Sequence, residues 1–283
     1  MQLILHECLI TENLKFLKSG NHLIDKYASV LLHCLRTVTI MGLDYLTQSN
    51  RAKHKIIRYL AWTSRLNVKK HLQNWIWHSG KLILKKWFTL SCKGQENLLS
   101  EQPYLIAANH VSHLDGPAII AAHGKSLHHV YSLAAKDYFF NHSLKSYIFR
   151  NLLNMIPFQR KGWFRDCLPV CRELLNQNKI IVIFPEGTRS KSGKLQPFKS
   201  GLGFLALELG VPIVPAYITG SYETLPKGKI CPRRHPIQVA FGKPIYINTY
   251  LNQKEEVSNR QIYQQIIDDV RYAIECLQNK YIQ

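Results

Sequence analysis

Two polar clusters, each placed directly after an apolar run, carry side chains suited to acid–base chemistry beside an anion. The first is Asn109-His110-Val111-Ser112-His113-Leu114-Asp115-Gly116, which follows Tyr104–Ala108. Only four residues separate His110 from Asp115. Across a strand-to-helix turn, that spacing can return the carboxylate to one imidazole nitrogen. The pairing would fix the tautomer, leave the other nitrogen as a base and stabilise the imidazolium that forms. The same residues also suit a plainer use, with Ser112 or Asp115 capping a helix and His110 incidental. Spacing alone leaves both open.

The second cluster is Phe184-Pro185-Glu186-Gly187-Thr188-Arg189-Ser190, again straight after an apolar run, Ile180–Phe184. Gly187 permits backbone angles that present N–H groups to an anion. Arg189 offers a planar fork that matches phosphate. Glu186 can orient that arginine or shape the turn. An ordinary turn with a surface arginine would read the same way. A third segment, Ile156-Pro157-Phe158-Gln159-Arg160-Lys161-Gly162, is basic and turn-like. A fourth, Phe198-Lys199-Ser200-Gly201, opens a helix, where unpaired N–H groups favour anions.

The elements that must position these groups are short apolar runs alternating with helical patterns. Strands are predicted at Tyr104–Ala108, Val130–Ala135, Ile180–Phe184, Ile213–Thr219 and Ile237–Phe241, with helices over 143–153, 165–177 and 200–210. Such alternation predicts an α/β fold: a central mixed, largely parallel sheet flanked by helices. Both polar clusters then fall at the carboxyl edge of the sheet, where α/β proteins place their sites. Ile262, Ile266, Val270, Ile274 and Leu277 mark an amphipathic closing helix over roughly 254–280.

Residues 45–95 have a different texture. They contain eleven Lys or Arg, no acid and four of the five tryptophans. On a helix, Lys70, His78, Lys81 and Lys85 share a face, with Leu72, Ile76, Ile83 and Trp87 roughly opposite. Trp77 and Leu84 blur that separation. The pattern describes a basic amphipathic helix lying among lipid headgroups; the alternative is a basic helix packed on its own domain. The expected organisation is a helical, membrane-surface region over 1–95 and a globular domain over 96–283.

Thirty-seven Lys or Arg against eighteen acids give a net charge of +19, a surface that attracts anionic lipid or nucleic acid. Apolar residues at 46 % exclude a disordered chain. The segment from Ala28 to Leu46 holds His33, Arg36 and Asp44, too interrupted for the roughly 20 apolar residues of a span. The N-terminus does not read as a secretory signal. Seven cysteines with no Cys-x-x-Cys pair suggest reduced thiols, and no ligand spacing implies a metal or other cofactor.

Taken together, the clusters resemble the 1-acylglycerol-3-phosphate acyltransferase family, within the wider glycerolipid acyltransferases. That family's Asn-His-x-Ser-x-x-Asp block is matched by Asn109, His110, Ser112 and Asp115, and its Phe-Pro-Glu-Gly-Thr-Arg-Ser block by Phe184 to Ser190. The aliphatic-x-Arg block looks like Ile156 to Gly162, and the Val-Pro-Ile-Val-Pro block matches Val211 to Pro215. The resemblance implies His110 as general base and Asp115 as its orienting partner. Arg160, Glu186, Gly187, Thr188, Arg189 and Lys199 would hold the acceptor phosphate, while Asn109 and Ser112 shape the turn. His113 is implied to be structural.

The implied reaction moves a fatty acyl group from acyl-CoA or acyl carrier protein to a lysophospholipid, 1-acylglycerol 3-phosphate, forming phosphatidic acid. Other acceptors on the same fold, or a non-catalytic lipid-binding protein, are the alternatives. No cofactor and no nucleic acid are implied. The expected location is an anionic membrane surface on the cytoplasmic face, held peripherally or monotopically.

Overall fold

A computed structural model describes residues 68–159, 165–252 and 257–281. The segment 28–46, the basic stretch before residue 68, the side chain of Lys70 and Arg160 lie outside the described residues. Residues 63–283 belong to one compact unit. Its strands are β1 (Ser91–Lys93), β2 (Leu105–Ala108), β3 (Val130–Ala135), β4 (Met155–Phe158), β5 (Ile180–Ile183), β6 (Ile213–Thr219) and β7 (Gln238–Phe241). They form a single sheet in the order β1-β7-β6-β2-β5-β3-β4. The five strands from β6 to β4 run parallel, while β7 is antiparallel to β6 and parallel to β1.

The helices are α1 (Val68–Lys86), α2 (Asp115–His123), α3 (Lys136–Phe139), α4 (Ser143–Asn151), α5 (Leu168–Asn176), α6 (Gly201–Leu209), α7 (Ser221–Thr224), α8 (Asn248–Leu251) and α9 (Asn259–Tyr281). The strand period of two sorts each strand between two cores. Leu105, Ala107, Ile181 and Ile183 face the layer of α5, α6 and α9. Tyr104, Ile106, Ala108, Ile180 and Val182 face α1 and α2. Helices on both faces explain why these strands read as continuous apolar runs.

The predicted α/β sheet is therefore present, and the five predicted strands match to within a residue at each end. Two strands escaped prediction. β1 has three residues, too short for a pattern. β4 lies in the segment read as turn-like, because Pro157 interrupts it; at the sheet edge, where among the described residues β4 pairs only with β3, proline is tolerated.

Helix α1 forms, but with a different buried face from the predicted one. Trp77, Leu84 and the following Phe88 are buried against α2, whereas Leu72, Ile76, Ile83 and Trp87 are only partly covered. The partner surface decides: Ala118, Ala121 and Ala122 on α2 leave room for an indole. Gln73, also on the buried side, donates to Asn151 O and to Asn154 Oδ1. The exposed side keeps His78, Lys85 and Leu82. Among the described residues, no helix is long and apolar enough to cross a membrane.

Candidate active site

Because β2, β5 and β6 are adjacent and parallel, the loops that follow them meet at one edge of the sheet. Leu105 pairs with Ile181 on one side and Ile213 on the other. The chain leaves β2 through α2 on one face and reaches β6 through α6 on the other. Such a reversal opens a crevice at the carboxyl ends of the strands.

His110 and Asp115 meet there. Nδ1 of His110 lies 2.9 Å from Asp115 Oδ2. The same oxygen accepts the backbone N–H groups of Val111 (2.7 Å) and Ser112 (2.8 Å). Asp115 Oδ1 accepts the Ser221 hydroxyl at 2.6 Å. Asp115 is wholly buried, yet four donors satisfy it, the condition a buried carboxylate needs. It is also the first residue of α2, where the helix dipole favours negative charge. With Nδ1 engaged, Nε2 is the nitrogen left for proton transfer. The imidazole stacks on Phe184, with ring centroids 4.1 Å apart.

The turn after β5 is bolted to this loop. His110 N donates to Glu186 Oε1 (2.7 Å), and Ser190 N donates back to His110 O (2.8 Å). Gly187 adopts φ +70°, which a side chain would strain, and a Cβ there would meet the Lys199 side chain at 3.0 Å. Lys199 thus lies over the turn. The Asn109 amide exchanges two hydrogen bonds with the backbone of Ile218, tying the end of β2 to β6. Ser112 donates to Leu225 O and bridges to Pro226.

Glu186 is 2 % exposed, and its oxygens accept two backbone N–H groups, from His110 and Gln196. It braces two loops; it does not line the cleft. Burial outweighs those hydrogen bonds and pushes its carboxyl up to about 7. Between its ordinary value of 4.5 and about 7, the unfolded chain releases a proton that the folded chain retains. Stability therefore falls as pH rises through that window. Glu186→Gln is expected to flatten this fall, as measured by denaturant midpoints from pH 4.5 to 7.5; an unchanged slope would assign the titration elsewhere.

His110 opens onto a cleft of about 160 Å³. Gly187, Thr188, Arg189 and Lys227 contribute polar and cationic groups to its lining, and Leu133 and Ala135 of β3, Tyr138, Phe139 and Phe158 contribute apolar ones. Lys227 donates to Thr188 Oγ1 (3.1 Å) and Arg189 O (3.2 Å). His113 also lines the cleft, stacked on Tyr138. Burial, with Arg189 and His110 nearby, holds it down to about 4. It is neutral at physiological pH and lacks a carboxylate partner of its own among the described contacts. The arrangement offers a paired histidine in a cleft lined by both cationic and apolar groups. Among the described residues, no group of His, Cys, Asp and Glu converges to hold a metal.

Sequence reasoning missed Ser221 and Lys227. Ser221 carries the signal that marked the other clusters, a small polar residue just after a buried strand. Lys227 sits in a lysine-rich loop with nothing to single it out.

Residues 89–219 match the family model described as Acyltransferase. The chain is 32 % identical over 176 residues to a chloroplastic 1-acyl-sn-glycerol-3-phosphate acyltransferase of Brassica napus, covering 58 % of this chain and 49 % of that protein. A counterpart in Arabidopsis thaliana is 30 % identical over 183 residues, covering 60 % and 47 %. The chain thus spans about half the length of these curated relatives. The fold resembles the crystal structure of the 1-acyl-sn-glycerophosphate acyltransferase of Thermotoga maritima, with a TM-score of 0.55 and 21 % identity over 87 % of this chain and 93 % of that one.

Proposed function

Because residues 89–219 match the acyltransferase family model, we propose that the chain is an acyltransferase that transfers a fatty acyl group from a thioester to the free hydroxyl of 1-acylglycerol 3-phosphate, yielding phosphatidic acid. One observation carries the reading: the His110–Asp115 pair opens onto a cleft lined by both cationic and apolar groups. Such a cleft suits an amphipathic anion whose hydroxyl lies between its phosphate and its hydrocarbon. The curated relatives bear the name of that reaction.

In this mechanism Nε2 of His110 takes the hydroxyl proton as the oxygen attacks the thioester carbonyl. The tetrahedral intermediate collapses, the C–S bond breaks, and the imidazolium returns the proton to the departing thiolate. Asp115 supports the positive charge in between, and Ser221 steadies Asp115. No acyl-enzyme is needed, because a thioester is already activated; acyl-CoA and acyl carrier protein serve this chemistry equally. Arg189, Lys227 and the backbone at Gly187 and Thr188 take the phosphate, with Lys199 above them and Arg160 completing the set.

The same reading puts the protein on an anionic membrane surface at the cytoplasmic face. Extracting a sixteen-carbon chain into water costs about 12 kcal/mol at roughly 0.8 kcal/mol per CH₂. The expected division into a membrane-surface region over 1–95 and an acyltransferase domain over 96–283 is kept as a division of roles, because α1 and β1 pack into the same compact unit as the domain. Helix α1 serves both, with Trp77 and Leu84 on α2 and Leu82, His78 and Lys85 outward.

The test is acyl transfer by the purified chain to lysophosphatidic acid, with acyl-CoA and acyl carrier protein thioester as donors. Arg189→Ala is expected to raise KM for the acceptor about ten- to a hundredfold, the equivalent of one charge-assisted hydrogen bond at roughly 1.5–3 kcal/mol. An unchanged KM would move the phosphate away from Arg189. Failure of both donors with lysophosphatidic acid, alongside transfer to a lysolipid without a terminal phosphate, would overturn the choice of acceptor.

A further inference from the structure

The loop between α7 and β7 starts at the cleft and is exposed without interruption from Lys227 to Pro236. Over those ten residues it holds Lys227, Lys229, Arg233 and Arg234 and no acid; Glu223, at its foot, is the nearest acid before it along the chain. Its tip is apolar. Ile230 is 60 % exposed and Cys231 beside it is exposed. A large aliphatic side chain held in water between two pairs of cations serves no internal packing.

The loop is nevertheless firmly rooted. Arg233 N donates to Thr224 O (2.7 Å), and Lys229 N donates to Pro226 O (3.1 Å), closing a turn in which Gly228 has φ +94°. Leu225 and Pro226 are held by Ser112, three residues from Asp115. Whatever the tip touches is therefore oriented relative to His110.

We propose that residues 227–236 form a lipid-surface contact, with Ile230 and Cys231 entering the headgroup layer and Lys229, Arg233 and Arg234 engaging anionic headgroups, so that the cleft mouth faces the bilayer. The proposal deepens the reading given above, because it rests on an acceptor that resides in the bilayer. Nucleic acid would satisfy the cations but not the apolar tip. Each cation near an anionic surface strengthens binding roughly fivefold, and the buried isoleucine adds an apolar contribution that salt does not screen.

Two native thiols provide the test. Cys231 lies at the tip; Cys276 is exposed on α9, where its neighbour Leu277 lies near Gly242, past the end of β7 distal to the loop. Alkylation of the full chain by a water-soluble maleimide is followed at each thiol by peptide mass spectrometry. Vesicles of phosphatidylcholine with about a third phosphatidylglycerol are expected to slow Cys231 at least about fivefold and to leave Cys276 within about twofold. The double variant Ile230→Glu, Arg233→Glu should bind these vesicles about tenfold less while keeping its rate on a short-chain monomeric acceptor. Equal protection of both thiols, no protection of Cys231 on bound vesicles, or equal protection by duplex DNA would overturn the proposal. Acyl transfer to vesicle-borne lysolipid without protection of Cys231 would sink the contact alone. Protection without transfer would uphold the contact and sink the proposed reaction.

Discussion

Replacing His110 by alanine is expected to lower the rate of acyl transfer at saturating substrates by roughly 10²–10⁴, the range for loss of a general base. The melting temperature should move little, since the imidazole is a fifth exposed and bonded only to Asp115 among the contacts described. Asp115→Asn tests the other half of the pair, and here the local bonding sets the outcome. An asparagine oxygen placed at Oδ2 can still accept from Nδ1, Val111 N and Ser112 N. Its amide would then face Ser221, whose hydroxyl can turn from donor to acceptor. The tautomer of His110 survives, and only the charge that supports the imidazolium is lost. Asp115→Asn should therefore cost less than His110→Ala, and adding Ser221→Ala to Asp115→Asn should remove much of the remainder. A His110→Ala protein with an undiminished rate would show that the base lies elsewhere.

Gly203→Ala should destabilise the fold by about 3 kcal/mol, against the direction that helix propensity predicts. In an open helix interior the change would stabilise by roughly 0.5–1 kcal/mol. At Gly203 of α6, however, a Cβ would lie 2.4 Å from Tyr263 O and 2.6 Å from its Cα, on the backbone of α9. A helix backbone cannot swing aside as a side chain can, and Leu205, Ile262, Ile266 and Val270 are buried around it. Overpacking typically costs about 1–3 kcal/mol, and a backbone contact lies at the upper end. The expected drop in melting temperature is roughly 6–12 °C for a unit of this size. Gly80 of α1 has nothing within 4 Å of its Cβ position. Gly80→Ala should raise the melting temperature slightly, and a drop matching that of Gly203→Ala would refute the steric account.

Much of this was legible from residue order because burial on both faces leaves a plain trace. β5 reads as Ile-Ile-Val-Ile since each side chain has a core to enter. The two polar clusters were legible for a related reason: an abrupt change from apolar to polar marks a strand leaving the interior. What failed to show depended on a partner. β4 carries Pro157 and needs β3 to be recognised as a strand. The buried side of α1 is set by the alanines of α2, so Trp77 and Leu84 win over the residues favoured by periodicity. Ser221 is one serine among many until Asp115, 106 positions earlier, is seen to accept its hydroxyl. Glu186 shows its chemistry type in sequence but not its direction, which the backbone N–H of His110 decides.

The strand order also bears on how the polypeptide emerges from the ribosome. β2 is made early, yet both of its neighbours, β5 and β6, come after β3 and β4. A nascent chain extending to β4 already contains His110 and Asp115, but it presents β2 with two open edges and Asp115 without its serine. Unpaired edges of that kind invite pairing with other chains. The order of synthesis therefore makes the first half of the unit dependent on the second for solubility and for function alike. A chain halted before Ser221 would be an inert, aggregation-prone fragment, never a weak or promiscuous catalyst.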